Sequence, residues 1–385
     1  MKKRILLIAL RVLSYVLTVA VTVVLTLSFG SDKLTQLEAL IQTFYVDKKD
    51  VDYSALEDAA AAAYIDALPD GWSYYISASE YEGHLNDQNN TFVGIGITIQ
   101  VNEAEEIEIV KVTPGSGAEK AGIQPGDLLT AVEGESVADL TLNEISGRIR
   151  GEEDSAVSLG LSRAGEVLTV SVVRSKIQVQ VVTSAMVTEK IGYIRIENFH
   201  DRCAKESIAA VKALQDQGAA ALIFDVRGNG GGFQTELVEL LDYLLPRGDL
   251  FISVDYNGIK TVDTSDADCV KLPMAVLMDG NSYSAAEFFA AALEEYDWAI
   301  TVGEPTVGKG HYQQTITLPD GSAVALSTGR YYTPKGVNLS DAGGLTPNVP
   351  AEMDDEQKGL LYSGLLPYEE DVQLQAAIQA LSNGQ

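Results

Sequence analysis

The stretch Ala221-Leu222-Ile223-Phe224-Asp225-Val226-Arg227-Gly228-Asn229-Gly230-Gly231-Gly232 decides the fold class of this 385-residue chain. It begins with an apolar run, typical of a strand that a parallel sheet buries on both faces, and it ends in glycines that break the strand. Similar strands and segments with helical spacing alternate around it, with strands at 193–196 and 274–278 and helices at 204–217, 234–245 and 285–293. This order predicts an α/β core with a mainly parallel sheet, to which residues 315–327 add an antiparallel hairpin.

The glycine run 228–232 follows the buried strand directly. Ligand sites in such sheets lie beyond the carboxyl ends of the strands, and glycines there can present backbone N–H groups to a substrate. A phosphate site is disfavoured, because no GxxxxGK[ST] pattern follows and the chain is acidic. We therefore expect this run to contact a substrate rather than a nucleotide.

A serine at the start of a predicted helix is the first candidate for chemistry. Ser284 lies within Asn281-Ser282-Tyr283-Ser284-Ala285-Ala286-Glu287, just after the strand at 274–278. A hydroxyl at a helix N-terminus lies beside unpaired N–H groups, which could stabilise the oxyanion formed when the serine attacks a carbonyl. For an isolated serine, capping of the helix is the simpler explanation.

A lysine between glycines supplies a candidate base. Lys309 lies in Gly308-Lys309-Gly310-His311-Tyr312-Gln313 and is preceded by Val307 rather than by an acid. A lysine can replace histidine as the base if burial keeps its amine neutral. In an extended segment Gln313 shares a face with Lys309 and could orient the amine through a hydrogen bond. An ordinary surface lysine is the alternative.

Together these elements resemble the C-terminal processing (tail-specific) peptidases, which are serine–lysine endopeptidases that carry a PDZ domain. The nucleophile of that family stands three residues before a glutamate, as Ser284 stands before Glu287. Its base follows in a Gly-Lys-Gly motif 25 residues later, as Lys309 does, and its orienting glutamine comes four residues after that, as Gln313 does. The resemblance covers nearly the whole chain after the first thirty residues.

The resemblance implies a site and a reaction. Ser284 would attack the peptide carbonyl, Lys309 would take its proton, and Gln313 would position the amine. The backbone N–H groups of Gly231 and Ala285 would form the oxyanion hole. No metal and no cofactor would be required.

The chain departs from the family pattern at a few positions. The family usually alternates Ser and Ala around its nucleophile, where this chain has Tyr283 and Ala286. Proline is common where Gly230 stands, and aspartate where Asn348 follows Pro347. None of these changes removes a proposed catalytic group, but we expect Tyr283 to alter the pocket beside the nucleophile.

Residues 92–175 resemble a PDZ domain, a small α+β domain inserted before the catalytic core. Such domains add a peptide strand to a sheet edge and capture its terminal carboxylate with backbone N–H groups. Gly94-Ile95-Gly96-Ile97 stands where that carboxylate loop belongs, and Ile145 and Ile149 either line the side-chain pocket or belong to the core. By analogy the domain binds substrates with a free C-terminus or gates access to Ser284.

The N-terminus predicts a transmembrane helix. Val12–Phe29 runs for 18 residues without a charge, just enough to span a bilayer, and Lys2, Lys3 and Arg4 precede it. The positive flank predicts a single-pass protein of the cell membrane with its catalytic part outside the cytoplasm. A cleaved signal and a secreted protein are the alternative. The predicted boundaries are 1–30 for the basic end and anchor, 31–90 for a helical region, 91–176 for PDZ, 177–350 for the catalytic core and 351–385 for a C-terminal helical segment.

Composition excludes several function classes. A formal net charge of −28 argues against nucleic acid as a partner, because phosphates would be repelled. Two cysteines and three histidines are too few for a typical zinc cluster. We interpret Cys203 and Cys269 as small apolar side chains, although their spacing leaves a disulfide open.

Two other functions stay open at this point. The first is a PDZ adaptor with an inactive peptidase-like domain, which would hold protein C-termini without cutting them. The second is a Ser–His hydrolase that uses His200 or His311 as its base. The predicted helices at both ends could also mediate a homodimer, as they do in some relatives of the family.

Overall fold

The computed structural model describes residues 33–102 and 104–383. The predicted transmembrane helix, within residues 1–30, lies outside the described residues. Within the two described ranges, no helix is both long enough and apolar enough to cross a membrane. Cys203 and Cys269 both lie in the described part and are unpaired there.

The chain divides into two compact units, one formed by residues 33–77 with 315–326 and the other by the remaining described residues. The first unit contains helices α1 (Lys33–Phe44) and α2 (Tyr53–Asp66) and strand β1 (Tyr74–Ile76). Asp52 caps α2 by accepting a hydrogen bond from the Ala55 N–H at 3.1 Å. The helical region predicted over 31–90 is therefore interrupted by β1, and its last helix, α3 (Ala78–Gln88), belongs to the second unit.

The inserted domain begins and ends with a pair of short strands, β2 and β9, in which Phe92 is opposite Ile177. Between them the strand order is β3-β4-β5-β7-β8, with antiparallel neighbours and β3 at one end. Ala164 and Gly165 have φ values of +50° and +85°, as the predicted two-residue hairpin requires. The elements are β2 (Thr91–Gly94), β3 (Ile97–Val101), β4 (Ile107–Val112), α4 (Gly117–Lys120), β5 (Leu128–Val132), β6 (Glu135–Ser136), α5 (Leu142–Ile149), β7 (Ala156–Arg163), β8 (Glu166–Val173) and β9 (Ser175–Gln178).

The catalytic core is built on a sheet with the order β10-β11-β12-β15-β16-β19, parallel except for β10. The prediction of a mainly parallel sheet is confirmed. The elements are β10 (Val182–Met186), β11 (Ile191–Ile196), α6 (Cys203–Asp216), β12 (Ala221–Asp225), α7 (Gln234–Leu244), β13 (Gly248–Asp255), β14 (Lys260–Ser265), β15 (Met274–Met278), α8 (Ala285–Glu295), β16 (Ala299–Gly303), β17 (His311–Thr317), β18 (Ala323–Tyr332), α9 (Leu339–Ala342), β19 (Val349–Pro350), α10 (Asp355–Tyr362) and α11 (Val372–Asn383).

Helices cover both faces of the parallel sheet, which explains the continuous apolar run of β12. Leu222 and Phe224 pack into the hydrophobic cluster with α6, α7 and α8. Ile223 points to the other face, where it joins a cluster that includes Leu374 of α11. Successive side chains of a strand alternate between its faces, so residues 221–224 of β12 are apolar and satisfy both layers, while Asp225 at its end pairs with Arg227.

The predicted hairpin is present as β17 and β18, but it belongs to a larger antiparallel sheet. In the second unit, β13 pairs with β14 and with the Gly329–Tyr332 end of β18. The sequence analysis did not predict β13 and β14. Their residues carry little apolar alternation, and β14 is largely exposed.

Candidate active site

Three loops leave the carboxyl edge of the parallel sheet, at 226–233 after β12, at 279–284 after β15 and at 304–310 after β16. The carboxyl ends of parallel strands meet at one edge, so loops far apart in sequence become neighbours there. A Cβ atom added to Gly231 would lie 2.7 Å from the Cβ of Ser284. The Val307 N–H donates to the Ser282 carbonyl at 3.3 Å. These contacts bring the three loops together, and with them Gly231, Ser284 and Lys309.

Ser284 lies on a strained turn between β15 and α8. Its backbone has φ +59° and ψ −124°, a conformation that residues with a Cβ rarely adopt. Such strain persists only where the surroundings impose it, and it concentrates at functional sites. In hydrolases a strained strand–turn–helix corner exposes the nucleophile above the sheet, and Ser284 is partly exposed here. The sequence pattern gave no sign of this conformation.

Glu287 is the acceptor that holds this turn. Its carboxylate is fully buried and accepts hydrogen bonds from the N–H groups of Ser284, Gly308 and Lys309 at 3.0, 2.8 and 2.6 Å, and from the Thr306 hydroxyl at 2.8 Å. Burial raises the pKa of Glu287, and these hydrogen bonds oppose that rise. One side chain therefore ties the nucleophile turn to the lysine loop. The sequence analysis noted Glu287 only as part of a motif.

Lys309 is 8% exposed, and its Nζ donates to the Oε1 of Gln313 at 2.7 Å. The Nε2 of Gln313 donates in turn to the Ser327 hydroxyl at 3.1 Å and to the His311 carbonyl at 3.3 Å. These two acceptors fix the orientation of the Gln313 amide, so that its oxygen faces the lysine. The structure thus places Gln313 beside the amine, as the spacing of the two residues suggested.

Tyr331 is a further member of the site, which the sequence analysis missed. Its buried hydroxyl donates to the Lys309 carbonyl at 2.5 Å. Burial and the nearby Glu287 raise the pKa of Tyr331 well above its ordinary value, whereas a hydrogen bond with the Ser284 side chain lowers it. The phenol therefore stays neutral and links the side chain of Ser284 to the backbone of Lys309.

The proposed oxyanion groups lie beside Ser284. A Cβ on Gly231 would come within 2.8 Å of the Ala285 nitrogen, so the two backbone N–H groups are close. Among the residues that the structure describes, none accepts a hydrogen bond from the Ala285 N–H. The Gly231 N–H donates to the Asn229 Oδ1 at 2.8 Å. For Gly231 to bind an oxyanion, this contact must be shared or released, and the assignment stays a prediction.

Replacing Gly231 with alanine tests this assignment. Its φ of +89° and the close approach to Ser284 leave no room for a Cβ atom. We expect kcat to fall by about 10²-fold or more, the usual loss for one oxyanion donor. Gly258→Ala is the matched control, because Gly258 has φ +80° but nothing within 4 Å of an added Cβ. Steady-state kinetics of both variants decide, and a Gly231→Ala enzyme with wild-type kcat would refute the placement.

Two departures from the family pattern are neighbours in space. A Cβ added to Gly230 would lie 2.6 Å from the hydroxyl oxygen of Tyr283. A proline at position 230 would therefore collide with the phenol where it lies here. The absence of a side chain at Gly230 accommodates Tyr283, so the two changes belong together.

The predicted peptide site of the inserted domain is only partly exposed. Gly94-Ile95-Gly96-Ile97 links β2 to β3, and β3 is the end strand of its sheet. Ile145 and Ile149 are 0% and 6% exposed and lie in the hydrophobic core of the domain. Of the two roles considered for these isoleucines, the structure places them in the core. The pocket assignment remains a prediction.

The two candidate histidines, His200 and His311, adjoin the site loops. The ring of His200 packs against Phe233, with ring centroids 5.4 Å apart, and burial lowers the pKa of His200. His311 is the first residue of β17. In the described part of the chain, no three His, Cys, Asp or Glu side chains form a group that could hold a metal ion.

Comparison with known proteins identifies both domains. Residues 190–351 match the model of peptidase family S41, and residues 108–163 match that of the PDZ domain. The fold is shared with a putative S41 protease from Bacteroides fragilis NCTC 9343, with a TM-score of 0.51 and 18% identity over 90% of this chain and 97% of that one.

Two curated relatives are more similar in sequence. The carboxy-terminal processing protease CtpA of Bacillus subtilis (strain 168) is 35% identical over 330 residues, 85% of this chain and 70% of that protein. The chloroplastic C-terminal processing peptidase of Tetradesmus obliquus is 30% identical over 332 residues, 81% of this chain and 71% of that protein. The chain therefore belongs to the carboxy-terminal processing proteases of peptidase family S41, and it is a serine-type peptidase.

Proposed function

We propose that this peptidase cleaves protein substrates outside the cytoplasm by a serine–lysine mechanism. The observation that carries the proposal is the buried Lys309 amine, whose Nζ lies 2.7 Å from the Gln313 Oε1. Glu287 ties the backbone of this lysine to the turn of Ser284. An adaptor without activity would have no need for this arrangement.

The reaction needs a neutral lysine amine. Lys309 takes the proton of the Ser284 hydroxyl as the oxygen attacks the peptide carbonyl, and the resulting ammonium then protonates the leaving amine. A water molecule, deprotonated by Lys309, hydrolyses the acyl-enzyme in the second half of the reaction. Burial favours the neutral amine because a desolvated ammonium is unstable. Gln313 holds the amine in position throughout.

The developing oxyanion is stabilised by the N–H groups of Gly231 and Ala285. The Ala285 N–H belongs to the fixed start of α8 and needs little reorganisation in the transition state, whereas the Gly231 N–H must share or release its hydrogen bond to the Asn229 Oδ1. The N-terminus of α8 adds the positive end of its dipole at the same place. Neither a metal nor a cofactor is required for these steps.

The inserted PDZ domain would bind the C-terminal tail of a substrate or gate access to Ser284. The end position of β3 supports tail binding, because a peptide can add to such an edge as a further strand. Membrane attachment through residues 12–29 would place both domains outside the cytoplasm. Digestion of intact cells with an external protease tests this location, and a full-length chain protected from digestion would contradict it.

The function is tested with the purified full chain and an unstructured protein substrate. We expect wild type to cleave and Ser284→Ala to be inert, while a variant with His200→Gln and His311→Gln keeps most activity. A histidine variant that folds but does not cleave would favour the Ser–His hydrolase. An inert wild type that binds peptides with free C-termini would favour the adaptor.

A further inference from the structure

A segment near the C-terminus contacts all three loops of the proposed active site. We call residues 353–373 the C-terminal brace; it contains α10 and the connection to α11. The sequence analysis predicted only that this region is helical. Its contacts with the loops are hydrogen bonds and ion pairs between specific side chains, most of them partly or fully buried.

The strongest contact joins Tyr362 of the brace to Asp279 of the serine loop. The Tyr362 hydroxyl donates to the Asp279 Oδ2 at 2.6 Å and accepts from the Asn281 Nδ2 at 2.8 Å. The other carboxylate oxygen of Asp279 accepts from the N–H groups of Gly228 and Asn281 at 3.0 and 2.9 Å, and from the Ser282 hydroxyl at 3.1 Å. Asp279, only 4% exposed, thus joins the glycine loop to the serine loop.

The ring of Tyr362 also lies against the glycine loop. A Cβ on Gly228, whose φ is +71°, would lie 3.0 Å from the ring. Burial raises the pKa of Tyr362 to about 12, and its hydrogen bond to Asp279 acts in the same direction. The phenol therefore remains a hydrogen-bond donor at every pH used for a peptidase assay.

The brace reaches the lysine loop and the end of β12 as well. Lys358 forms a 3.0 Å ion pair with Glu304, the residue that begins the lysine loop. The guanidinium of Arg227, just after β12, donates to both carboxylate oxygens of Asp371 at 3.0 and 2.7 Å. It also donates to Gln373 at 3.0 Å. Each of the three loops is thereby attached to one continuous segment.

We propose that the C-terminal brace is a positioning element of the active site, and that Tyr362 acts through Asp279 to fix the distance between the Gly231 loop and Ser284. The inference rests on the proposed function, since it assumes that Ser284 and the Gly231 N–H act on the same carbonyl. Misplacement of reacting groups by about 1 Å can cost about 10²-fold in rate. Tyr362 touches no reacting atom, so it is a positioning residue.

The test is Tyr362→Phe in the full chain, which keeps the ring on Gly228 and removes only the hydroxyl. We expect kcat to fall about tenfold with KM within about twofold of wild type, because substrate binding is not affected. Tyr362→Leu, which also removes the ring, should lose more. Tyr64→Phe is the control, because Tyr64 is 76% exposed and belongs to α2 of the first unit.

Thermal unfolding of each variant separates positioning from loss of fold. An unchanged kcat in Tyr362→Phe overturns the inference, and so does a loss that disappears at a temperature where the variant is fully folded. If Ser284→Ala is inert while Tyr362→Phe equals wild type, only the brace is refuted. If Ser284→Ala cleaves as well as wild type, the proposed function itself fails.

Discussion

Replacing Lys309 with either alanine or arginine should reduce kcat by at least about 10⁴-fold, in the range found when a catalytic base is removed. The arginine variant separates a catalytic base from a structural lysine more clearly than the alanine variant does. Arginine supplies a permanent positive charge and a donor for Gln313, but a guanidinium does not lose its proton in proteins and cannot act as a base. A lysine that served only as an ion-pairing or structural group would tolerate arginine better than alanine.

The pH dependence of the wild type makes the same point without a substitution. If Lys309 is the base, only its neutral amine can accept the Ser284 proton, so kcat/KM should rise with pH as that amine loses its proton. A profile that is flat from mildly acidic to alkaline pH would contradict a lysine base.

The control for both experiments is the exposed Lys271, whose replacement by alanine should leave kcat and the pH profile unchanged. Circular dichroism of the Lys309 variants must show a folded chain. An active Lys309→Ala enzyme would instead favour His200 or His311 as the base.

The second large effect concerns stability. Replacing Arg227 with methionine should lower the free energy of unfolding by about 3–5 kcal/mol, the usual cost of removing one partner of a buried ion pair. Arg227 is 2% exposed and pairs with Asp225 at 2.6 Å and with Asp371 at 2.7 Å. Methionine fills part of the space but removes the cation that both carboxylates share, and Asp225 keeps the longer 3.6 Å ion pair with Arg195.

The pH dependence of this loss has a definite sign. Burial raises the pKa of Asp225, but the charge and hydrogen bonds of Arg227, together with Arg195 and Tyr193, outweigh it, so the pKa is below its ordinary value in the folded protein. The pair therefore contributes stability above the ordinary pKa of the carboxyl, and this contribution is lost as the pH falls through the folded-state value. The deficit of Arg227→Met should be largest near neutral pH and smaller in acid.

Urea unfolding at neutral and at acidic pH measures both parts of this prediction. Arg330→Met is the matched control, because the Arg330 side chain is 52% exposed and lies 3.9 Å from its partner Asp341. Exposed pairs contribute about 1 kcal/mol or less. If the loss of unfolding free energy in Arg227→Met is equally small, or if it grows in acid, the buried ion pair does not stabilise this region as predicted.

The residues proposed for chemistry could be found in the sequence because they follow short, fixed spacings. Gln313 follows Lys309 by four residues, and both are placed by the same short segment. The supporting groups have no such signal. Tyr362 and Asp279 are 83 residues apart, and only the tertiary fold brings the hydroxyl to the carboxylate.

The backbone conformation of Ser284 could not be predicted from the sequence either. A serine before a helix predicts an ordinary cap, and nothing in the side chains around Ser284 signals a positive φ. The burial of Ile145 was ambiguous for a different reason. Ile145 belongs to α5, a helix of only eight residues. In so short a helix the residues that line a groove and those that pack on the sheet form a single apolar stripe, so the spacing of apolar residues does not tell the two roles apart.

The strained turn at Ser284 has a consequence for attempts to transplant this chemistry. Holding a residue at such backbone angles costs about 1–3 kcal/mol of folding free energy. Here the four hydrogen bonds to Glu287 offset that cost. A graft that carried only the serine, lysine and glutamine into a new scaffold would let the corner relax to ordinary angles. The smallest portable unit of this enzyme therefore includes the buried glutamate and the whole loop that caps it.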